Sequence, residues 1–183
     1  DEVIRRGPAS APDFITIDSA DGGTGAAPMS LMDNVGLTLR ESLPGVVDLL
    51  TSRGLRGRIK LISSGKLVVP AEAAWAFCVG ADFVNSARGF MFSLGCIQAL
   101  KCNKNTCPTG ITTHNARLQR GLDVADKSER VTNYARNLAA EIAIIAHSCG
   151  VHDPRQLERR HCRVIINGQS VPLEELFPDV LEP

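Results

Sequence analysis

Three short apolar runs, residues 14–18, 59–63 and 81–85, each leading into a stretch of helical character, constrain the fold of this 183-residue chain more than any other feature. Runs of four to eight residues rich in Ile, Val and Phe and bounded by turn signals read as buried strands. Strands that alternate with helices call for a parallel sheet with crossover helices. Residues 29–43 fit an amphipathic helix broken at Pro44-Gly45, and residues 46–52 fit a second. Pro70 opens a helix that runs through Trp75 to about residue 79, at a position where its missing N–H costs nothing. Residues 89–100 read as a helix delivering Cys96.

Further on, Val131, Tyr134, Leu138, Ile142 and Ile145 keep one apolar stripe on a long helix over about residues 128–148, which Gly150 ends. Asp153 caps a short helix at Pro154, residues 163–166 suit one more strand, Asn167-Gly168 turns the chain, and residues 171–183 read as a short helix and tail. The expected class is α/β, part of a β/α architecture with parallel strands, crossover helices and a helical carboxyl-terminal extension. A closed barrel takes about 250 residues, so this chain is a piece of a larger barrel, a complementary half-barrel subunit or a small open sheet. One domain or fragment is expected. Residues 1–13 form a flexible lead-in, 14–95 the β/α units, 96–113 a cysteine loop and 114–183 a mostly helical extension.

Composition narrows the function. With 44% hydrophobic and 22% charged residues the chain can bury a core, and 20 acidic against 20 basic residues argue against a nucleic-acid surface. No apolar run is long enough for a membrane span and no secretory leader opens the sequence, which makes the cytoplasm the expected compartment. There, six cysteines are expected as ligands or buried thiols and not as disulfides.

Cys96-x5-Cys102-x4-Cys107-Pro108 places three thiols in one loop turned by Gly95, Asn103, Asn105, Pro108 and Gly110. Three thiolates suit an iron–sulfur cluster one ligand short of a cube, a [3Fe-4S] type. A zinc site completed by His114 is an alternative, and three unrelated cysteines another. Cys78, Cys149 and Cys162 sit in or beside apolar runs and read as packing thiols, Trp75 reads as core, and His147, His152 and His161 show no metal-ligand spacing.

Asp21-Gly22-Gly23-Thr24-Gly25-Ala26 with Pro28, then Ser64-Gly65, Gly80-Ala81-Asp82, Gly95-Cys96-Ile97 and the cysteine loop follow one another in the order and approximate spacing of the flavin domain of glutamate synthases. From about Phe14 to Thr113 the chain resembles the carboxyl-terminal half of that domain. The resemblance implies a partial (β/α)8 TIM-type barrel, about its last half, from a domain carrying FMN and a [3Fe-4S] cluster. It further implies FMN-dependent reduction of 2-iminoglutarate, formed from 2-oxoglutarate and ammonia, to glutamate with electrons arriving through the cluster. It assigns Cys96, Cys102 and Cys107 to the metal, and Asp21, Gly22, Gly23 and Thr24 to the loop beside flavin and substrate. Ser64, Gly65, Lys66, Ala87 and Arg88 fall on the flavin-phosphate segments. Ser64, Lys66, Asn85 and Ala87 depart from the family pattern, and Lys66 and Arg88 make the neighbourhood cationic, suited to phosphate through side chains or to two solvated surface charges.

The expected partners are the remaining half of the barrel, on the same gene product or another subunit, and an electron donor such as ferredoxin or a nicotinamide-oxidising subunit. The chain begins with Asp1 and not a glutaminase-type cysteine, so ammonia is expected from elsewhere. The isolated chain is expected to be inactive and, with an open sheet edge, to self-associate. The alternative is a non-catalytic iron–sulfur electron-transfer or scaffold module.

Overall fold

Three parallel strands form the frame that positions everything else. The structure, a computed structural model of the chain, describes residues 1–22, 27, 28 and 30–181. Strand β1 (Phe14–Asp18) pairs with β2 (Lys60–Ser64), which pairs with β3 (Phe83–Asn85), in sheet order β1-β2-β3. Helix α2 (Leu39–Ser52) connects β1 to β2, and α3 (Pro70–Val79) connects β2 to β3. This is the parallel β/α arrangement expected from the alternating apolar runs, and it is the architecture of a partial barrel.

Register divides the sheet into two unlike faces, because side chains alternate along a strand. Ile15 lies beside Leu61, and Ile17 beside Ser63 and Val84, on the face covered by helices. There Ile17 and Leu61 join Leu43, Val47 and Leu50 of α2 and Ala74 of α3 in the core. The buried Ser63 donates its hydroxyl hydrogen to the Phe83 carbonyl at 3.3 Å. On the other face lie Phe14 beside Lys60, the row Thr16–Ile62–Phe83, and the row Asp18–Ser64–Asn85. Among the described residues that face is bare: Phe14 is 58% exposed and Phe83 51%. In a closed barrel it would point inward and be filled by side chains of the other strands.

Helix α2 corrects the expected break at Pro44-Gly45. One helix runs through Pro44, which is fully buried with Leu39 and Leu43. A proline here forfeits one backbone hydrogen bond, a cost of about 3 kcal/mol. Burial of Leu39, Leu43, Pro44, Val47 and Leu50 along one side offsets it. The helix also begins later than the amphipathic pattern suggested. Glu41 accepts from the Thr38 amide at 2.8 Å and the Thr38 hydroxyl at 2.7 Å, and Asp21 accepts from the Leu39 amide at 2.6 Å. These contacts supply the partners a helix start lacks.

The lead-in is not a bare tail. It forms α1 (Glu2–Arg6) and a 3₁₀ turn at Pro8–Ser10, and Arg58 holds it by donating to the Ala11 carbonyl at 3.2 Å and to Asp13 at 2.9 Å. Helix α4 (Ala87–Ser93) is shorter than expected and ends before Cys96, at Gly95 with φ +101°. After the cysteine loop come α5 (Ala116–Gln119) and the 25-residue α6 (Val124–Ser148), which packs along α3 and α4. Asp123 caps α6 by accepting from the Asp126 amide at 2.9 Å, and the helix starts at Val124, four residues before the expected start. The terminal extension is not purely helical. Strands β4 (Arg163–Ile166) and β5 (Gln169–Pro172) form an antiparallel hairpin across Asn167 and Gly168, followed by α7 (Leu173–Leu176).

Candidate functional site

The carboxyl ends of parallel strands are where β/α folds place their chemistry, since the following loops converge there. Here those ends carry the polar row Asp18–Ser64–Asn85 on the bare face. The loops beyond them gather charge. Lys66, at φ +50°, reaches Asp33 at 2.9 Å and Asp21 at 3.8 Å. Hydrogen bonding from Lys66 and from the Gly22 amide, with the charge of Arg88 nearby, holds the Asp33 carboxyl below its ordinary pKa. Arg88 leans over Gly22, where a Cβ would lie 3.1 Å from Nη2. The structure therefore brings Asp21, Gly22, Lys66 and Arg88 of the expected flavin segments together. Gly23 and Thr24, expected in the same loop, lie outside the described residues.

Three expected residues have structural partners as well. Asp21 accepts from the Leu39 amide and from Ser19 Oγ at 3.3 Å, tying the loop to the start of α2. The Ser64 carbonyl accepts from the Ser19 amide at 3.1 Å and its hydroxyl at 3.2 Å. Gly65 is packed so tightly that a Cβ would fall 2.3 Å from Ser19 Oγ and 2.9 Å from Leu39 Cβ. Ala87 is the first residue of α4.

Asp33, Asp18 and Tyr134 were not singled out as site residues by the sequence. Tyr134 of α6 reaches back to this end of the sheet, donating to the Val68 carbonyl at 2.7 Å and accepting from the Ser86 hydroxyl at 2.7 Å. It also meets the Phe90 ring edge-on at 5.1 Å. Gly89 makes room for it, since a Cβ there would sit 1.8 Å from the phenol oxygen. The signal available for Asp18 was a polar residue ending an apolar strand. For Tyr134 the helical stripe offered no sign of a polar task.

The cysteine loop is a turning structure braced from within. Gly95, Gln98, Leu100, Asn105 and Gly110 all have positive φ, and Cys102–Lys104 form a 3₁₀ turn. The buried Thr113 donates its hydroxyl to the Asn105 carbonyl at 2.8 Å, and Asn105 Oδ1 accepts from the His114 amide at 2.7 Å. Cys107 is buried, Cys96 half-buried and Cys102 exposed. Burial pushes the Cys107 thiol up, but the Thr109 hydroxyl, 3.2 Å away, with the Thr109 and Thr112 amides, outweighs it and lowers the pKa to about 6. Cys96 Sγ accepts from the Gln98 amide at 3.5 Å.

Iron–sulfur clusters are held by cysteine sulfurs, and amide and hydroxyl hydrogen bonds to those sulfurs tune a cluster's potential. The donor chemistry fits such a group. Among the described residues no three His, Cys, Asp or Glu side chains meet as ligands of a single ion. A zinc centre needs its donors at one point, whereas cysteines bound to different irons of a cluster do not share one. Also among the described residues, no helix is long and apolar enough to cross a membrane.

Parallel β/α units with a charged mouth and a thiol-bearing loop define an α/β protein whose sheet suits part of a β/α barrel. Residues 2–152 match the family described as the conserved region in glutamate synthase, and the chain belongs to the glutamate synthase family. It is 47% identical over 150 residues to the glutamate synthase large subunit-like protein YerD of Bacillus subtilis, covering 82% of this chain and 29% of that protein. It is 32% identical over 174 residues to the archaeal-type glutamate synthase [NADPH] of Dehalococcoides mccartyi, covering 95% of this chain and 34% of the relative. Against the archaeal glutamate synthase [NADPH] of Methanocaldococcus jannaschii it is 32% identical over 172 residues, 94% and 33% of the two chains. The chain thus spans about a third of the length of the curated relatives it matches.

Proposed function

We propose that these residues form the carboxyl-terminal part of the flavin barrel of a glutamate-synthase-like oxidoreductase, which reduces 2-iminoglutarate, from 2-oxoglutarate and ammonia, to glutamate. The observation that carries the reading is the meeting of Lys66 and Arg88 beside the Asp21–Gly22 turn, at the carboxyl ends of a sheet whose other face is bare. FMN and a [3Fe-4S] cluster would supply hydride and single-electron transfer, which side chains cannot. Lys66 and Arg88 would balance the flavin phosphate, with Ser64, Gly65 and Ala87 beside them, Lys66 exchanging its pairing with Asp33 for the anion. The Asp18–Ser64–Asn85 row would orient polar groups of the substrate inside the barrel. The loop from Asp21 to Thr24 would border both ligands, and Cys96, Cys102 and Cys107 would each hold iron, with Thr109 and Thr112 stabilising the Cys107 thiolate.

The remaining barrel strands, on the same gene product or another subunit, complete the site; without them this chain does not turn over. Two of the relatives carry [NADPH] in their names, which favours a nicotinamide-derived electron supply, directly or through ferredoxin, in the cytoplasm. The test is flavin, iron and acid-labile sulfide content of the chain assembled with the remaining strands. Replacing any one of the three loop cysteines by serine is expected to remove the iron. Lys66→Ala and Arg88→Ala are each expected to weaken FMN binding by about 10-fold, the worth of a charge-assisted hydrogen bond. Full iron with any cysteine replaced refutes the ligand set, and unchanged FMN affinity in the double variant refutes the phosphate site. A colourless assembled protein leaves a scaffold in place of an oxidoreductase.

A further inference from the structure

Three thiols outside the loop meet at one cavity. Cys78 from α3, Cys149 just after α6 and Cys162 just before β4 line a space of about 850 Å³ between the helical layer and the carboxyl-terminal hairpin. Cys78 and Cys162 act on each other's titration across this cavity, and the Cys162 thiol also donates to the Arg163 carbonyl at 3.8 Å. Arg40 stands on the same cavity, its guanidinium 4.6 Å over the Trp75 ring, and its charge acts on Cys162. Thiols read from sequence as packing residues thus line one cavity, joining segments far apart in the chain. Cys78 is 6% exposed and Cys162 half-buried, so a small solute reaches Cys162 first.

We propose that Cys162 and Cys78 are a peroxide-reactive dithiol, in which Cys162 attacks a hydroperoxide entering the cavity and Cys78 then closes a reversible disulfide between α3 and the carboxyl-terminal segment. The site is separate from the proposed flavin chemistry. The neighbouring Cys78 thiol, helped by Arg40 and against burial, lowers the Cys162 pKa and so favours its thiolate, while the Cys162 thiol and burial push Cys78 up. The Cys162 sulfur bonds to the distal peroxide oxygen as the O–O bond breaks, giving Cys162 sulfenic acid and, with one proton, an alcohol or water. Cys78 next attacks that sulfur and the hydroxyl leaves as water. Two thiols lose two electrons and two protons, and one hydroperoxide is reduced.

The experiment is peptide mapping by mass spectrometry, with differential alkylation, of the full chain after equimolar hydrogen peroxide. The expected result is a linked pair of peptides carrying Cys78 and Cys162, two thiols lost per chain from this cluster, and recovery of both with dithiothreitol. In Cys78→Ser, dimedone is expected to label Cys162. Cys78 and Cys162 both remaining alkylatable in the untreated-sequence protein, Cys162 passing to sulfinic acid without pairing, or dimedone on Cys149 in place of Cys162 would each overturn the proposal. The mapping on the unsubstituted protein decides even if a variant fails to fold.

Discussion

Gly89 and Tyr134 show how one missing methyl group organises the mouth of the sheet. The phenol oxygen bridges Ser86 and the Val68 carbonyl only because Gly89 has no Cβ to displace it. Gly89→Ala is therefore expected to destabilise by about 1–3 kcal/mol, despite alanine's better helix propensity, because moving the ring breaks two hydrogen bonds. The same substitution in a Tyr134→Ala background is expected to be neutral or stabilising, and urea denaturation of the four proteins in this cycle reads the coupling. Arg159 is a second such position. It is 5% exposed, pairs with Asp48 of α2, and donates to the Phe177 and Pro178 carbonyls at 2.8 and 3.0 Å. Arg159→Met is expected to cost about 3 kcal/mol, by leaving Asp48 and two carbonyls without their partner, and to release the carboxyl-terminal segment to proteolysis.

Among the elements, the join between β2 and β3 depends on one carboxylate. Asp82 accepts from the Leu61 amide at 2.9 Å while its own amide donates to the Leu61 carbonyl at 2.9 Å, and it pairs with Arg56 at 2.7 Å and Lys60 at 3.2 Å. Burial pushes its pKa up, but the Leu61 amide, Arg56 and Lys60 together outweigh this and leave it below the ordinary aspartate value. A carboxyl depressed in the folded state contributes stability that is present above its unfolded pKa, near 3.8, and is lost as pH falls through its lower folded value. Chemical denaturation between pH 6 and pH 2 is expected to show that acid loss, and Asp82→Asn to be less stable at pH 6 with a shallower acid slope. The hairpin of β4 and β5 carries a different lesson. Asn167-Gly168 is a strong turn signal, yet a second strand with only Val171 as its β-branched residue was too short for periodicity to reveal.

For the whole molecule, the bare sheet face governs behaviour in solution. Phe14 and Phe83 stand exposed on either side of the half-buried Ile62, and among the described residues β1 and β3 each present an unpaired edge. The chain alone is expected to self-associate at micromolar concentration, and co-expression with the remaining barrel strands to yield a monodisperse complex. Sedimentation velocity checks both, and a stable monomer of the isolated chain would mean that the face is covered from within.

The order of strands and helices was legible in the sequence because each apolar run is short, β-branched and bounded by turn residues, signals that need no distant partner. The cysteine loop was legible for the same reason, its thiols lying within twelve consecutive residues. Tertiary structure alone decided that α2 passes through Pro44, since burial against the sheet outweighs a local hydrogen bond, and that Lys66 and Arg88 share one mouth. It alone joined Cys78, Cys149 and Cys162. Local pattern records what a residue's neighbours in sequence favour, whereas the pairing of charges and thiols from separate elements follows from how those elements pack.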